Sequence, residues 1–185
     1  MGSGKSTIAQ IFSIMDIPVF SADQAGRELL KENSGILKEI VELLGKEVWE
    51  PETNQLNRQK IASIVFRDKS KLNALNRIIH PEVRKKYISW LSLQTSEIIV
   101  HEAAILIESG FYKMFDKIIL VVAPEEIRIQ RIIDRDKSDI AEVKQRIKNQ
   151  MPEAEKIPYA NYIIRNDESE LVIPQVINII NENVS

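Results

Sequence analysis

The sequence is short of the residues that build disulfide frameworks, thiolate sites and flexible linkers. It has 185 residues, no cysteine and only 6 glycines, where average usage of about 7% predicts roughly 13 glycines. The absence of cysteine excludes a disulfide framework, a thiolate metal site and a cysteine nucleophile. The few glycines are concentrated, because Gly2 and Gly4 fall within the first four positions. Since glycine adopts backbone angles that other residues avoid, this concentration indicates a special backbone conformation at the start of the chain.

A charge excess and long apolar runs are also lacking. The chain has 25 Lys+Arg and 27 Asp+Glu, a formal net charge of −2, whereas a dedicated nucleic-acid binder usually has a basic excess. The longest apolar stretch, 118–124, is far shorter than the roughly 18 residues of a spanning helix, and the first residues lack the pattern of a signal peptide. With 44% hydrophobic residues, disorder is not expected. We therefore expect one folded cytoplasmic domain over 1–185, without membrane or nucleic-acid partners; its oligomeric state stays open.

The hydrophobic pattern predicts helices that alternate with short buried strands. Apolar runs at 17–20, 97–102, 117–122 and 162–164 are typical of strands covered on both faces, as in a parallel sheet. Residues 49–57 are predicted to form a polar loop. Residues 58–94 are mostly helical by pattern, with interruptions near Asp68 and at His80-Pro81, since proline suits a helix start and restricts the residue before it. The order predicts an α/β fold in which the middle third is an inserted helical subdomain.

The glycines belong to a recognisable motif. Residues Gly2-Ser3-Gly4-Lys5-Ser6-Thr7 match the end of the phosphate-loop pattern, in which another glycine lies five residues before the Gly-Lys-Ser/Thr. Such glycines let backbone N–H groups point at phosphate oxygens, and the helix that follows adds its positive N-terminal dipole. Lys5 is expected to reach the β- and γ-phosphates of ATP, and the Ser6 hydroxyl to ligate Mg²⁺. The alternative is a flexible, tag-like terminus, which the amphipathic segment and buried strand that follow do not favour.

The motif is incomplete at its beginning. Its first glycine, and the apolar strand that feeds such a loop from the middle of the sheet, would lie before Met1. We therefore expect a gap in the parallel sheet of this chain. A complete phosphate loop cannot be built from these residues alone.

Further residues indicate phosphoryl transfer to a small molecule, which needs a carboxylate beside the acceptor and arginines over the transferred group. Asp23 follows a predicted strand at the edge where ligands bind, and either orients an acceptor hydroxyl as a base or caps a helix. Arg128, Arg131 and Arg135 have i, i+3, i+7 spacing, so they share one helix face that suits polyphosphate. The alternative for these arginines is a solvated face paired with acids. Glu102 ends a strand near the cleft. It could contact Mg²⁺ through water or have a structural role, and we favour the structural role.

Several segments together resemble one family, dephospho-CoA kinase. The resemblance extends from Gly2 to the helix after Asn166 and rests on Gly2 to Thr7, Val19-Phe20-Ser21-Ala22-Asp23 with Arg27, Leu72-Asn73, Ile79-His80-Pro81, Glu108 to Tyr112, and Arg131 with Arg135-Asp136. The phosphate loop is common to many kinases. The Ala-Asp-x-x-x-Arg and His-Pro segments at these separations are much more specific.

The resemblance implies a P-loop NTPase fold and ATP-dependent phosphorylation of the ribose 3′-hydroxyl of dephospho-CoA. It implies a helical CoA-binding subdomain within 33–93 and a lid within 131–152. It also implies a role for each matched residue: Asp23 is the base, Lys5 and Arg131 stabilise the transferring phosphate, Arg27 and His80 lie on the substrate side, and Arg135 and Asn166 join the phosphate loop in binding the nucleotide.

Two departures from the family pattern leave alternatives open. Ser21 stands where the family usually has an aspartate, and 151–155 lacks a basic residue often found there. Another P-loop kinase, such as one acting on nucleoside monophosphates, is the rival enzyme. A non-catalytic nucleotide- or CoA-binding protein is the alternative of a different class.

Overall fold

The computed structural model describes residues 1–32, 34–65, 67–137 and 139–183. The chain folds as two units, one built from Met1–Val19 with Thr95–Ser185 and the other from Phe20–Gln94. Asn33, the predicted first residue of the helical subdomain, lies outside the described residues. Each unit has its own apolar core.

The first unit contains the parallel strands. Its helices are α1 (Lys5–Ile14), α6 (Glu125–Asp136), α7 (Ile140–Lys148), α8 (Glu153–Lys156) and α9 (Val172–Asn181), and its strands are β4 (Val100–Glu102), β5 (Ile119–Val122) and β6 (Tyr162–Arg165). β5 pairs with β6 in parallel, with Ile119 opposite Tyr162 and Val122 opposite Arg165. The predicted α/β class with a parallel sheet is confirmed.

The strands of the first unit do not form one continuous ladder among the described residues. The Val100 N–H donates to the Pro18 carbonyl at 2.9 Å, so β4 begins beside the segment that leads into β1 (Val19–Ser21). Among the described residues no ladder joins β4 to β5. The core is nevertheless continuous across α1, β5, β6 and α9, where Ile8, Phe12, Val121, Ile164 and Val176 are buried together.

The second unit is mainly helical. It holds α2 (Ala22–Glu32), α3 (Ser34–Leu44), α4 (Arg58–Val65) and α5 (Lys69–Leu91). Its core is formed by apolar side chains repeating on one face of each helix; the most deeply buried are Ile36, Ile40, Leu44 and Val48. A helix buries its apolar stripe in this way when residues recur at three- and four-residue intervals.

Two predictions within this unit are wrong. Residues 49–57 are not simply a loop, because β2 (Trp49–Glu50) and β3 (Gln55–Leu56) pair antiparallel, with Trp49 opposite Leu56. The helix also continues through His80-Pro81, since α5 is one element with Pro81 inside it. Proline removes one backbone hydrogen bond from a helix, but α5 packs against α2, α3 and α4, and this packing stabilises the continuous form. The predicted interruption near Asp68 is confirmed: its carboxylate caps α5 by accepting from the N–H groups of Ser70 and Lys71.

No helix among the described residues is long and apolar enough to cross a membrane.

Candidate active site

The phosphate loop has the backbone conformation that its glycines predict. Gly2 has φ +78° and Gly4 has φ +90°, in the region that side chains disfavour. A Cβ on Gly2 would lie 2.5 Å from the carbonyl oxygen of Arg128, and a Cβ on Gly4 would collide with the Asn166 amide. A side chain is therefore disfavoured at both positions for two reasons: the positive φ angle and the lack of space for a Cβ.

Two carbonyl groups of the loop accept hydrogen bonds from the protein. The Asn166 Nδ2 donates to the Ser3 carbonyl at 2.8 Å, and the Ile8 N–H donates to the Gly4 carbonyl at 3.1 Å. In a planar trans peptide the C=O and the following N–H point in opposite directions. The N–H groups of Gly4 and Lys5 are therefore turned away from these donors, as a phosphate cradle at a helix N-terminus requires.

A buried carboxylate stands beside the first turn of α1. Glu102, at the end of β4, is only 7% exposed. The Ser6 Oγ donates to its Oε1 at 3.3 Å, and the Lys5 Nζ forms an ion pair with the same oxygen at 3.7 Å. Thr7 lies exposed in the same turn. The structure therefore brings together Lys5, Ser6 and Glu102.

These groups suit a hard divalent cation. Mg²⁺ is usually held by one or two protein oxygens together with substrate phosphates and water, not by a complete protein cage. The Ser6 hydroxyl and the buried Glu102 carboxylate, whose Oγ and Oε1 atoms lie 3.3 Å apart, provide oxygen donors of this kind. The described residues contain no cluster of three or more His, Cys, Asp or Glu that could hold a metal ion.

The three arginines of α6 do not act as one stripe. Arg131 donates from Nη1 to the Asn166 carbonyl at 3.0 Å and from Nη2 to the Glu168 carboxylate at 3.2 Å. Arg135 is 64% exposed and donates two hydrogen bonds, at 2.7 and 3.0 Å, to the carboxylate of its neighbour Asp136. The hydrogen bond from Arg135 lowers the pKa of the Asp136 carboxyl. Arg128 contacts the start of the phosphate loop through the Met1 carbonyl.

Asn166 links the end of β6 to the phosphate loop. It directly follows β6, and its side chain and its carbonyl bind two different partners, Ser3 and Arg131. Position after a parallel strand predicts that it lies at the ligand edge of the sheet. Its contact with the phosphate loop, however, depends on tertiary structure that the sequence does not display.

Asp23, Arg27 and His80 belong to the second unit. Asp23 and Arg27 are exposed on α2, with Asp23 in its first turn. The Ser21 Oγ, one residue before α2, accepts from the Gln24 N–H at 3.4 Å, a contact of the kind that caps a helix. Ser21 therefore has a structural use at the position where it departs from the family pattern.

His80 is half-buried on α5. Burial lowers the pKa of its imidazole, and the positive charge of Arg84 lowers it further. His80 is consequently neutral at pH 7, with one ring nitrogen able to donate and the other to accept.

Comparison with known proteins gives one consistent result. The dephospho-CoA kinase family model matches residues 1–171. The chain is 35% identical over 181 residues to a dephospho-CoA kinase of Bacteroides fragilis, covering 97% of this chain and 87% of the relative. It is 37% identical over 171 residues to that of Aquifex aeolicus, covering 91% and 86%.

Solved structures agree. TT1252 from Thermus thermophilus superposes with a TM-score of 0.86 at 29% identity, over 100% of this chain and 94% of the other. The dephospho-CoA kinase from Campylobacter jejuni gives a TM-score of 0.68 at 27% identity, over 98% and 92%. The resemblance found in the sequence is confirmed, and the fold is that of the P-loop NTPases. The chain belongs to the dephospho-CoA kinase family.

Proposed function

We propose that the chain transfers the γ-phosphoryl group of ATP to the ribose 3′-hydroxyl of dephospho-CoA and so forms CoA. Membership of the family gives the reaction, an ATP-dependent phosphorylation of dephospho-CoA in CoA biosynthesis. One observation supports this proposal most directly. Lys5, Ser6 and Glu102 lie together beside a glycine loop whose Ser3 carbonyl is hydrogen-bonded to the Asn166 side chain.

ATP binds through its phosphates in this proposal. The N–H groups of the loop and the N-terminus of α1 receive phosphate oxygens, and the Lys5 ammonium balances the charge that spreads over the transferring group. Ser6 and Glu102 would hold Mg²⁺, Glu102 through water, and the ion would neutralise phosphate charge. Asn166 closes over the nucleotide base.

The acceptor is handled by residues of the helical unit. Asp23 orients the 3′-hydroxyl and takes up its proton, a role that its exposed position in the first turn of α2 supports. Arg27 and neutral His80 bind dephospho-CoA. The subdomain 33–93 is proposed as the CoA-binding part of the chain.

The lid, proposed as 131–152, supplies arginines to the phosphates. Arg131 and Arg135 now bind Asn166, Glu168 and Asp136. Exchange of the ion pairs with Glu168 and Asp136 for phosphate costs little, because exposed ion pairs contribute only about 0–1 kcal/mol. Closure of the lid would then exclude water from the transfer.

Replacement of Asp23 tests the proposal. We expect Asp23→Asn to lower kcat for dephospho-CoA by at least about a hundredfold, the usual scale of a general base, with little change in the KM for ATP. Exposed Asp116→Asn in the other unit is the matched control. Unchanged turnover in Asp23→Asn would exclude it as the base. Faster turnover of nucleoside monophosphates than of dephospho-CoA would favour the rival kinase, and ATP binding without any turnover would favour a binding protein.

A further inference from the structure

Arg128 is the innermost of the three arginines on α6. Its side chain is only 13% exposed, whereas that of Arg135 is 64% exposed. Its backbone N–H closes the first turn of the helix on the Pro124 carbonyl at 3.0 Å. Its own carbonyl lies so close to Gly2 that a Cβ there would be 2.5 Å away. The backbone of the phosphate loop therefore rests directly on this turn of α6.

The guanidinium of Arg128 joins three distant segments of the chain. Its Nε donates to the Met1 carbonyl at 3.0 Å, and its Nη1 forms an ion pair with the Glu153 carboxylate of α8 at 3.7 Å. Arginine suits such a position because its donors are fixed in one plane and its charge is permanent. Glu153 fixes the guanidinium on one side while Nε holds the loop on the other.

The hydrogen bond from Arg128 to the Met1 carbonyl is one of three that fix carbonyl groups in and beside the loop. The carbonyls of Met1, Ser3 and Gly4 each accept a hydrogen bond from outside the loop, from Arg128, Asn166 and Ile8. Holding the Met1 carbonyl turns the Gly2 N–H in the opposite direction, because the peptide is planar and trans. Without that bond the loop has one fewer amide fixed for a phosphate oxygen.

We propose that Arg128 is a positioning residue for the phosphate loop: it fixes the Met1–Gly2 peptide against α6 and α8 and does not itself bind the nucleotide. This proposal rests on the proposed function only in taking the loop as the phosphate site. It separates Arg128 from Arg131, whose partners lie in the loop after β6, and from Arg135, whose bonds go to Asp136 of the same helix.

The test uses three variants of the full chain, in protein whose intact mass includes Met1. Arg128→Met keeps most of the side-chain volume and removes both contacts. Glu153→Gln removes the ion pair but leaves the Nε bond. Lys113→Met removes a positive charge from an exposed site of the same unit and is the control.

We expect Arg128→Met to raise the KM for ATP about tenfold, the effect of losing one hydrogen bond from a charged donor, while the KM for dephospho-CoA changes less than twofold. Glu153→Gln should have a smaller effect in the same direction, and Lys113→Met none. Hydrogen exchange at the amides of 2–5 should be faster in Arg128→Met than in the control. Arg128→Lys, which keeps the charge without the planar fork, should restore ATP binding only in part.

Two results would overturn the proposal. Unchanged loop exchange with an unchanged KM for ATP would show that Arg128 does not position the loop. Equal increases in both KM values, together with a lower Tm, would show a merely structural role. Failure of the wild type to phosphorylate dephospho-CoA would count against the proposed function alone, because the exchange comparison still tests Arg128.

Discussion

His101 makes the stability of the first unit depend on pH. The imidazole lies on β4 with its ring centroid 5.5 Å from that of Phe111 and 4.9 Å from that of Phe115. Burial lowers its pKa from the ordinary 6.5 to about 4, an effect that the neighbouring Glu102 charge only partly offsets. An imidazole whose pKa is lowered in the folded state favours folding while it is neutral.

The sign and size follow from that difference in pKa. Below about pH 6.5 the unfolded chain takes up a proton at His101 that the folded chain refuses until about pH 4. The free energy of unfolding therefore decreases as the pH falls through this window and levels off below it. Between pH 7 and pH 5 the loss from His101 is about 2 kcal/mol.

Urea unfolding of the wild type and of His101→Leu at pH 7 and pH 5 measures this contribution. The chain has only 2 histidines, and His80 and all carboxylates titrate in both proteins, so the difference between their pH dependences isolates His101. We expect the wild type to lose about 2 kcal/mol more than the variant. Equal losses, or an NMR titration of His101 near pH 6.5, would refute the reasoning.

Two further substitutions test the loop and its carboxylate. Gly4→Ala should lower stability by about 1–3 kcal/mol and weaken ATP binding, because Gly4 has φ +90° and its methyl would collide with Asn166; Gly26→Ala, in an ordinary helical position with 3.8 Å contacts, should be neutral or stabilising in the same thermal melts. Glu102→Gln should lower kcat at least tenfold and shift the Mg²⁺ dependence of turnover to higher concentrations, whereas the exposed Glu97→Gln should do neither; an unchanged Mg²⁺ profile would contradict a role for Glu102 at the metal.

The phosphate loop could be predicted because its determinants are contiguous. Gly2, Gly4, Lys5 and Ser6 lie within one loop and the first turn of one helix, so local conformation alone brings them together. The parallel strands were similarly predictable from short apolar runs.

The roles of Glu102 and the arginines depended on tertiary structure. Glu102 reaches Ser6 only because β4 ends beside α1, a relation between residues 96 positions apart. The i, i+3, i+7 spacing correctly predicted one helix for Arg128, Arg131 and Arg135, but not that each would find a different partner. Those partners come from the phosphate loop and α8, the loop after β6, and the end of α6 itself.

In the helical unit, tertiary structure also decided secondary structure that sequence patterns did not predict. Local rules predicted a break at His80-Pro81, yet packing on three neighbouring helices keeps α5 continuous. The hairpin of Trp49–Glu50 with Gln55–Leu56 was also missed, because two-residue strands have too little alternation to be recognised. Packing decided both elements.

The central claim is that this chain phosphorylates the 3′-hydroxyl of dephospho-CoA. Its most direct test is incubation of the purified chain with Mg²⁺, γ-labelled ATP and dephospho-CoA, followed by location of the label in the product by ³¹P NMR. We predict label at the ribose 3′ position, forming CoA, and none when the acceptor is 3′-deoxy. Label at another position, or preferential transfer to nucleoside monophosphates, would contradict the account.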